Sequence, residues 1–205
     1  MNVYMNRGDY GTDSGGECAV PVVHRFHGPT NGNGLFWYSF DIGAAHIIYY
    51  STEHDFLPTS VQYKWLENDL NSINRAKTPW VIVGGHRPMY NSLVGAETIA
   101  DKLREYIEPL LYKHHVDLHL VAHIHSYERT CKIYQSKCVK ERITNVLIGM
   151  GGHDLSTGHY RKVDWSIYHD IAFGYTHIWL NKTHLGFNYH HTSDDKIIDH
   201  FTINK

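Results

Sequence analysis

The chain has 205 residues, 42% of them hydrophobic and 20% charged, with a formal net charge of −2 at neutral pH. A chain of this length and balance buries a substantial core as one domain, and the near-neutral charge argues against a nucleic-acid or anionic-membrane surface. No apolar run reaches the length of a membrane-spanning helix, and residues 1–10 lack the apolar core of a signal peptide.

Taken in order, residues 1–34 are rich in Gly, Asn, Asp and Ser and read as loop. Residues 35–41 and 46–51 are aromatic and β-branched runs on either side of Ile42-Gly43-Ala44, the pattern of a β-hairpin. Asp41, Glu53 and Asp55 follow as acidic groups of a type that can bind metals. A helix is expected from Thr59, because Thr59-Ser60-Val61-Gln62 fits a capping box. Its core face is read as Val61, Trp65, Leu70 and Ile73. Pro79 ends the next connection and Trp80 opens a strand, so helix and strand together suit a crossover unit.

Two stretches then share one pattern. Val81-Ile82-Val83-Gly84-Gly85-His86-Arg87 and Val116 to His125 are each a short apolar run, then small residues, then histidine. The runs read as buried strands. The small residues let the backbone turn and come close to a ligand. Open α/β sheets place ligands at such strand ends. If strand geometry persists through His123 and His125, both side chains face one way. With His86 from a neighbouring strand end they make a candidate metal cluster, since neutral imidazole suits zinc, iron, copper and nickel. The chain has 18 histidines, so each one alone is more simply an ordinary polar residue.

Between these stretches a helix is expected over residues 96–113, with Ile99, Leu103, Ile107 and Leu110 on its apolar face and Pro109 disturbing its hydrogen bonding. His114 and His115 read as a solvated helix end, and His119 as a satisfied core or interface residue. Beyond residue 145 the chain reads as β. A strand at 145–149 is followed by alternating segments at 175–180, 183–189 and 196–203, forming an antiparallel tail that closes a sheet. Residues 152–170, rich in His and Tyr, border a substrate mouth or form an ordinary surface loop.

The segments Val83-Gly84-Gly85-His86-Arg87-Pro88-Met89-Tyr90 and Ala122-His123-Ile124-His125-Ser126-Tyr127-Glu128-Arg129-Thr130 resemble the last two metal-binding motifs of the purple acid phosphatases, a branch of the calcineurin-like metallophosphoesterases. Ser14-Gly15-Gly16-Glu17-Cys18, His24-Arg25-Phe26, Trp37-Tyr38-Ser39-Phe40-Asp41, Ser51-Thr52-Glu53-His54-Asp55, Thr78-Pro79-Trp80 and residues 145–203 extend the likeness over nearly the whole chain. The resemblance implies an α/β (α+β) fold: an incomplete metallophosphoesterase β-sandwich with flanking helices and an antiparallel C-terminal tail. Residues 1–140 would be the C-terminal part of the catalytic domain, and residues 141–205 a C-terminal region packing on the same sheet.

By the same resemblance the activity is hydrolysis of phosphate monoesters at a centre of Fe(III) plus a divalent Zn, Fe or Mn. His86 and His123 would hold the divalent ion and His125 the iron, with Arg87 near the substrate. The family's first three motifs have no counterpart here, and Gly8-Asp9-Tyr10 is only an echo of one. The chain therefore reads as the C-terminal part of a longer enzyme, with at most one divalent ion and weak or absent activity on its own. Ala122 stands where the family has glycine, and Gly95-Ala96 where plant members carry histidines. The alternatives are a non-catalytic remnant of the fold, or a relative acting on diesters or nucleotides.

Family resemblance also implies secretion, with no membrane or nucleic-acid partner. On that reading Cys131 and Cys138, which flank a short polar connection, form a disulfide rather than two free thiols. Cys18 is left without an assigned partner, and Asn181-Lys182-Thr183 is a glycosylation acceptor.

Overall fold

The computed structural model describes residues 20–205 apart from residues 97, 98 and 142. The segments at 8–10 and 14–18 lie outside the described residues, as does Cys18. Among the described residues of the stretch read as loop, Val20–Arg25 form a short helix, α1. Pro21 in its first turn is compatible with a helix start, where the missing N–H costs no hydrogen bond.

A mixed sheet forms the middle of the molecule. β1 (Tyr38–Ile42) and β2 (Ala45–Tyr49) make the expected hairpin, with Gly43 at φ +55° in the turn. Helix α2 (Val61–Ser72) then crosses over to β3 (Trp80–Gly84), which runs parallel to β2. The helix begins one residue later than the capping box implied. Ser60 is the cap, and its Oγ accepts from Tyr63 N at 3.0 Å. Gln62 does not reach back to the cap. It is buried and holds the end of β2, accepting from Ser51 N at 2.6 Å and donating to Ser51 O at 2.9 Å. The buried face is accordingly Gln62, Leu66 and Leu70, while Val61 is 77% exposed.

The next helical stretch carries the expected apolar face, with Ile99, Leu103, Ile107 and Leu110 all buried. It is continuous but irregular: α3 (Ala100–Lys102), a π turn (Leu103–Ile107) and α4 (Glu108–Lys113). Glu108 N donates back to Leu103 O. Pro109 is the reason. It has no N–H, and its ring crowds the carbonyl four residues back, so the preceding turn widens.

β4 (Leu118–Val121) and β7 (Thr144–Ile148) continue the parallel set, giving the order β2-β3-β4-β7 at the centre of the sheet. β5 (Tyr127–Tyr134) returns antiparallel to β7 and turns through Gln135 and Ser136, both at positive φ, into β6 (Lys137–Cys138). Cys131 and Cys138 are joined across this hairpin by a disulfide, with Cα atoms 5.7 Å apart. β8 (Ser166–Asp170), in the segment read as loop, pairs with β5.

β9 (Gly174–Leu180), β10 (His184–His191) and β11 (Ile197–Asn204) do not close that sheet. They form an antiparallel sheet of their own. It covers one face of the first sheet: Leu185, Phe187, Tyr189 and Ile203 pack on Ala45, Trp80, Ile82, Leu118, Tyr127 and Val146. The helices pack on the other face, around Ile48, Val81, Val83 and Leu103. Each fully buried side chain of this kind contributes about 1.5–3 kcal/mol.

A polar clasp joins the two sheets. Asp199 of β11 receives Arg129 Nε at 2.6 Å, Arg129 Nη2 at 2.8 Å and Tyr127 Oη at 2.8 Å. Asn181 lies on the exposed turn between β9 and β10, and its side-chain oxygen accepts from Thr183 N and His184 N.

Candidate metal centre

The four parallel strands β2, β3, β4 and β7 end side by side, and the chemistry-bearing residues lie just beyond those ends. Glu53 follows β2, His86 and Arg87 follow β3, His123 and His125 follow β4, and His153 and Asp154 follow β7. Backbone bonds hold neighbouring loops together, Gly85 N to Leu120 O at 3.0 Å and Ala122 N to His86 O at 2.8 Å.

Strand geometry stops at Val121 and does not orient the H-x-H pair. Ile124 N donates to Ala122 O at 2.8 Å, and Ser126 N donates to Ile124 O at 2.9 Å. These are two successive three-residue turns centred on His123 and His125. His123 sits at φ +68°, the uncommon left-handed form of such a turn.

The two imidazoles therefore do not share a partner set. His123 turns toward β3, its Nδ1 3.0 Å from His86 Nε2 with the rings edge to face. His125 turns toward β7 and bonds Asp154 through Nδ1. His86, His123 and His125 all come to one edge of the sheet, but His125 clusters with His153 and Asp154, and His86 with His123.

Arg87 fixes the first pair. Its Nε donates to Glu53 Oε1 at 2.7 Å, its backbone N to Thr52 Oγ1 at 3.1 Å, and its Nη1 lies 3.2 Å from His123 Nε2. Guanidinium can only donate, so His123 Nε2 accepts, and its Nδ1 then carries the proton toward His86 Nε2. Burial pushes the Glu53 carboxyl up, but the bond from Arg87, that cation's charge and His86 outweigh it, so Glu53 is held below the usual carboxylate range. At the second pair, bonds from His153 and then His125 hold Asp154 low in the same way. Asp41 bonds His46 and Lys77, and Asp55 accepts from Leu57 N.

The glycines before His86 make room for aromatic rings. A Cβ on Gly84 would lie 2.6 Å from the Tyr49 ring, and one on Gly85 2.7 Å from the Tyr50 ring. Gly149 makes room for backbone instead. A Cβ there would meet Ile124 O at 1.9 Å, so only glycine lets the end of β7 close against the histidine turns. His119 is a core residue, as expected, with Nδ1 2.7 Å from Asn145 Oδ1 and Nε2 3.2 Å from Tyr50 Oη.

His153 and Asp154, which cluster with His125, are not singled out by sequence reasoning, which reads residues 152–170 only as the border of a substrate mouth or an ordinary surface loop. A signal for them exists: Val146-Leu147-Ile148-Gly149-Met150-Gly151-Gly152-His153 repeats the pattern of apolar run, small residues and histidine that marks His86.

A model of the calcineurin-like phosphoesterases matches residues 9–127 of this chain. The chain belongs to that family. A second model, of the C-terminal region of iron/zinc purple acid phosphatase-like proteins, matches residues 143–200. Among the relatives, a protein of Arabidopsis thaliana named probable inactive purple acid phosphatase 9 is 37% identical over 93% of this chain and 33% of its own length. A nucleotide pyrophosphatase/phosphodiesterase of Hordeum vulgare is 34% identical over 94% of this chain and 57% of its own. The structure of a purple acid phosphatase from yellow lupin seeds superposes with a TM-score of 0.86 at 34% identity, covering 94% of this chain and 36% of that one. The chain thus corresponds to the C-terminal part of the purple acid phosphatases and spans about a third of the length of the Arabidopsis relative. Its mixed α/β architecture is theirs, and that family works through a dinuclear metal centre.

Proposed function

We propose that this chain carries the imidazole part of a dinuclear phosphoesterase centre, in a secreted protein whose reaction is hydrolysis of phosphate monoesters. The observation that carries the reading is the meeting of His86 and His123, 3.0 Å apart, at the C-terminal edge of adjacent parallel strands. Neutral imidazoles fit a borderline divalent ion such as zinc. They do not by themselves suit Fe(III), a hard ion that favours anionic oxygen. The carboxylates described at this edge are Glu53 and Asp154, one bonded to Arg87 and the other to His125 and His153. The described residues therefore fit one divalent ion on His86 and His123 better than an iron–divalent pair. Metal pairs at such sites hold the phosphate, supply hydroxide near neutral pH and stabilise the leaving oxygen.

The chain's own residues prepare for this. His86 Nε2 and His123 Nδ1, the two nitrogens that face each other, would hold the ion. The proton displaced from His123 Nδ1 then sits on Nε2, which no longer accepts from Arg87, and Arg87, still held by Glu53, presents its charge to an anionic ester. Secretion accords with the Cys131–Cys138 bridge and the exposed acceptor at Asn181.

On its own, the 205-residue chain should turn over phosphomonoesters only weakly at acid pH, with zinc, iron or manganese added. Rapid turnover abolished by His123→Ala would show that the ligand set is complete within it. The name of the barley relative favours a second reading, action on nucleotides or diesters. A diester and a nucleotide pyrophosphate assayed beside the monoester, in the protein that carries this chain, separate the two. A diester rate well above the monoester rate would replace the first reading with the second.

A further inference from the structure

We propose that Trp179 is the platform on which the first sugar of an Asn181-linked glycan stacks. Trp179-Leu180-Asn181-Lys182-Thr183 spans the end of β9 and the turn into β10. Alternation along a strand puts Trp179 and Asn181 on one side. Their surroundings agree: Leu180 between them packs inward between the sheets, while Trp179 is 46% exposed and Asn181 is exposed. Two strand positions span about 7 Å, the reach of one pyranose ring carried on the Asn181 amide.

The platform is built before any sugar arrives. Trp179 lies opposite Gly186 in the pairing of β9 with β10. A Cβ on Gly186 would stand 2.1 Å from Cε2 of the indole and 2.5 Å from its Nε1, so the ring lies over bare backbone that only glycine leaves open. One face of the indole is thereby covered and the other is left to solvent. The acceptor is also fixed. Asn181 Oδ1 accepts from Thr183 N at 2.8 Å, His184 N at 2.9 Å and Thr183 Oγ1 at 3.2 Å. Asn181 N donates to His184 O at 2.9 Å, and Trp80 Nε1 donates to Asn181 O. These bonds hold the turn and leave Asn181 Nδ2 without a hydrogen bond among the described residues.

Attachment forms a bond from Asn181 Nδ2 to the anomeric carbon of N-acetylglucosamine, breaks that carbon's bond to the pyrophosphate of a lipid-linked donor, and releases one amide proton. The attached ring then turns its weakly positive C–H bonds to the negative face of the indole. It also shields β9, which among the described residues is an edge strand of its sheet with backbone groups open to pairing.

The proposal rests on the secreted reading above. Its test uses the protein that carries this chain, exported from a eukaryotic host by that host's own leader and trimmed to one N-acetylglucosamine per site. Peptide mass spectrometry should find Asn181 occupied. The comparison is Thr183→Val, which abolishes the acceptor but keeps Asn181 and both backbone bonds to its Oδ1. Hydroxyl-radical footprinting should oxidise Trp179 about threefold more slowly in the glycosylated protein than in that variant, the protection a stacking contact supplies. Trp65, on the helix side of the molecule, is the internal reference. Thr183→Val should also lower the thermal midpoint, and most of that drop should vanish in a Trp179→Ala background. An unoccupied Asn181, equal oxidation of Trp179 in the two proteins, or a drop that persists in full beside Trp179→Ala overturns the proposal. The host's leader supplies export, so a failure here is distinct from a failure of the secreted or hydrolytic reading.

Discussion

Replacing Asp199 by alanine should cost about 3–5 kcal/mol of folding stability, among the largest effects of any single polar change in this chain. Asp199 is 7% exposed and accepts both nitrogens of an Arg129 fork as well as the Tyr127 hydroxyl. Removing it leaves a guanidinium between two packed sheets with no charge to answer it. The unpaired ion, rather than the lost bonds, accounts for most of the cost. The position also matters. Tyr127 and Arg129 belong to β5 of the first sheet and Asp199 to β11 of the second, so the clasp registers one sheet on the other. Tyr127 stacks on Tyr189 with ring centres 4.0 Å apart, and a shift between sheets would separate them. Urea unfolding checks the magnitude. Pairing Asp199→Ala with Arg129→Met should recover part of the loss, because both charges are then gone. A double variant as unstable as the sum of its singles would show that the two residues act independently.

Acid should destabilise the protein through His119, and glutamine at that position should remove much of the effect. His119 is completely buried, and burial pushes its pKa down to about 4, with the Asn145 bond opposing only weakly. Both ring nitrogens are satisfied in the neutral form, Nδ1 by Asn145 Oδ1 and Nε2 by the Tyr50 hydroxyl. An added proton would displace one of those arrangements inside the core. The unfolded chain takes up that proton near pH 6.5, whereas the folded chain resists it until about pH 4. Stability from this group is therefore complete above pH 6.5 and lost as the pH falls toward 4. At about 1.4 kcal/mol per unit the loss totals roughly 3 kcal/mol. The measurement is the urea midpoint between pH 7.5 and 4 for the native chain and for His119→Gln. The level of the variant reports packing, and only its slope reports the titration. Parallel slopes would show that His119 does not govern the acid response.

Much of the fold was written in local pattern. The hairpin around Gly43, the crossover into Trp80 and the apolar face of Ile99, Leu103, Ile107 and Leu110 all follow from periodicity and turn chemistry, which act over a few residues. The offset at α2 shows where that information ends. Thr59 and Ser60 are equally good caps by composition, and the packing of Gln62 against the end of β2 chose between them. A choice of one residue rotates a helix by about 100°, which is why Val61 faces solvent and Leu66 the core.

By itself, the sequence determined that histidines would stand at the ends of buried strands, because an apolar run followed by small residues and a polar group can leave a core in only a few ways. Only the tertiary structure decided which histidine meets which. The order β2-β3-β4-β7 is a product of long-range packing. It puts His123 beside His86 on one flank of the β4 loop, and His125 beside Asp154 on the other. The two tight turns after Val121 then aim adjacent imidazoles apart, and Gly149, from a distant strand, leaves the space in which those turns close. No local pattern carries this information, because the contacts join residues 29 and 37 positions apart in the chain.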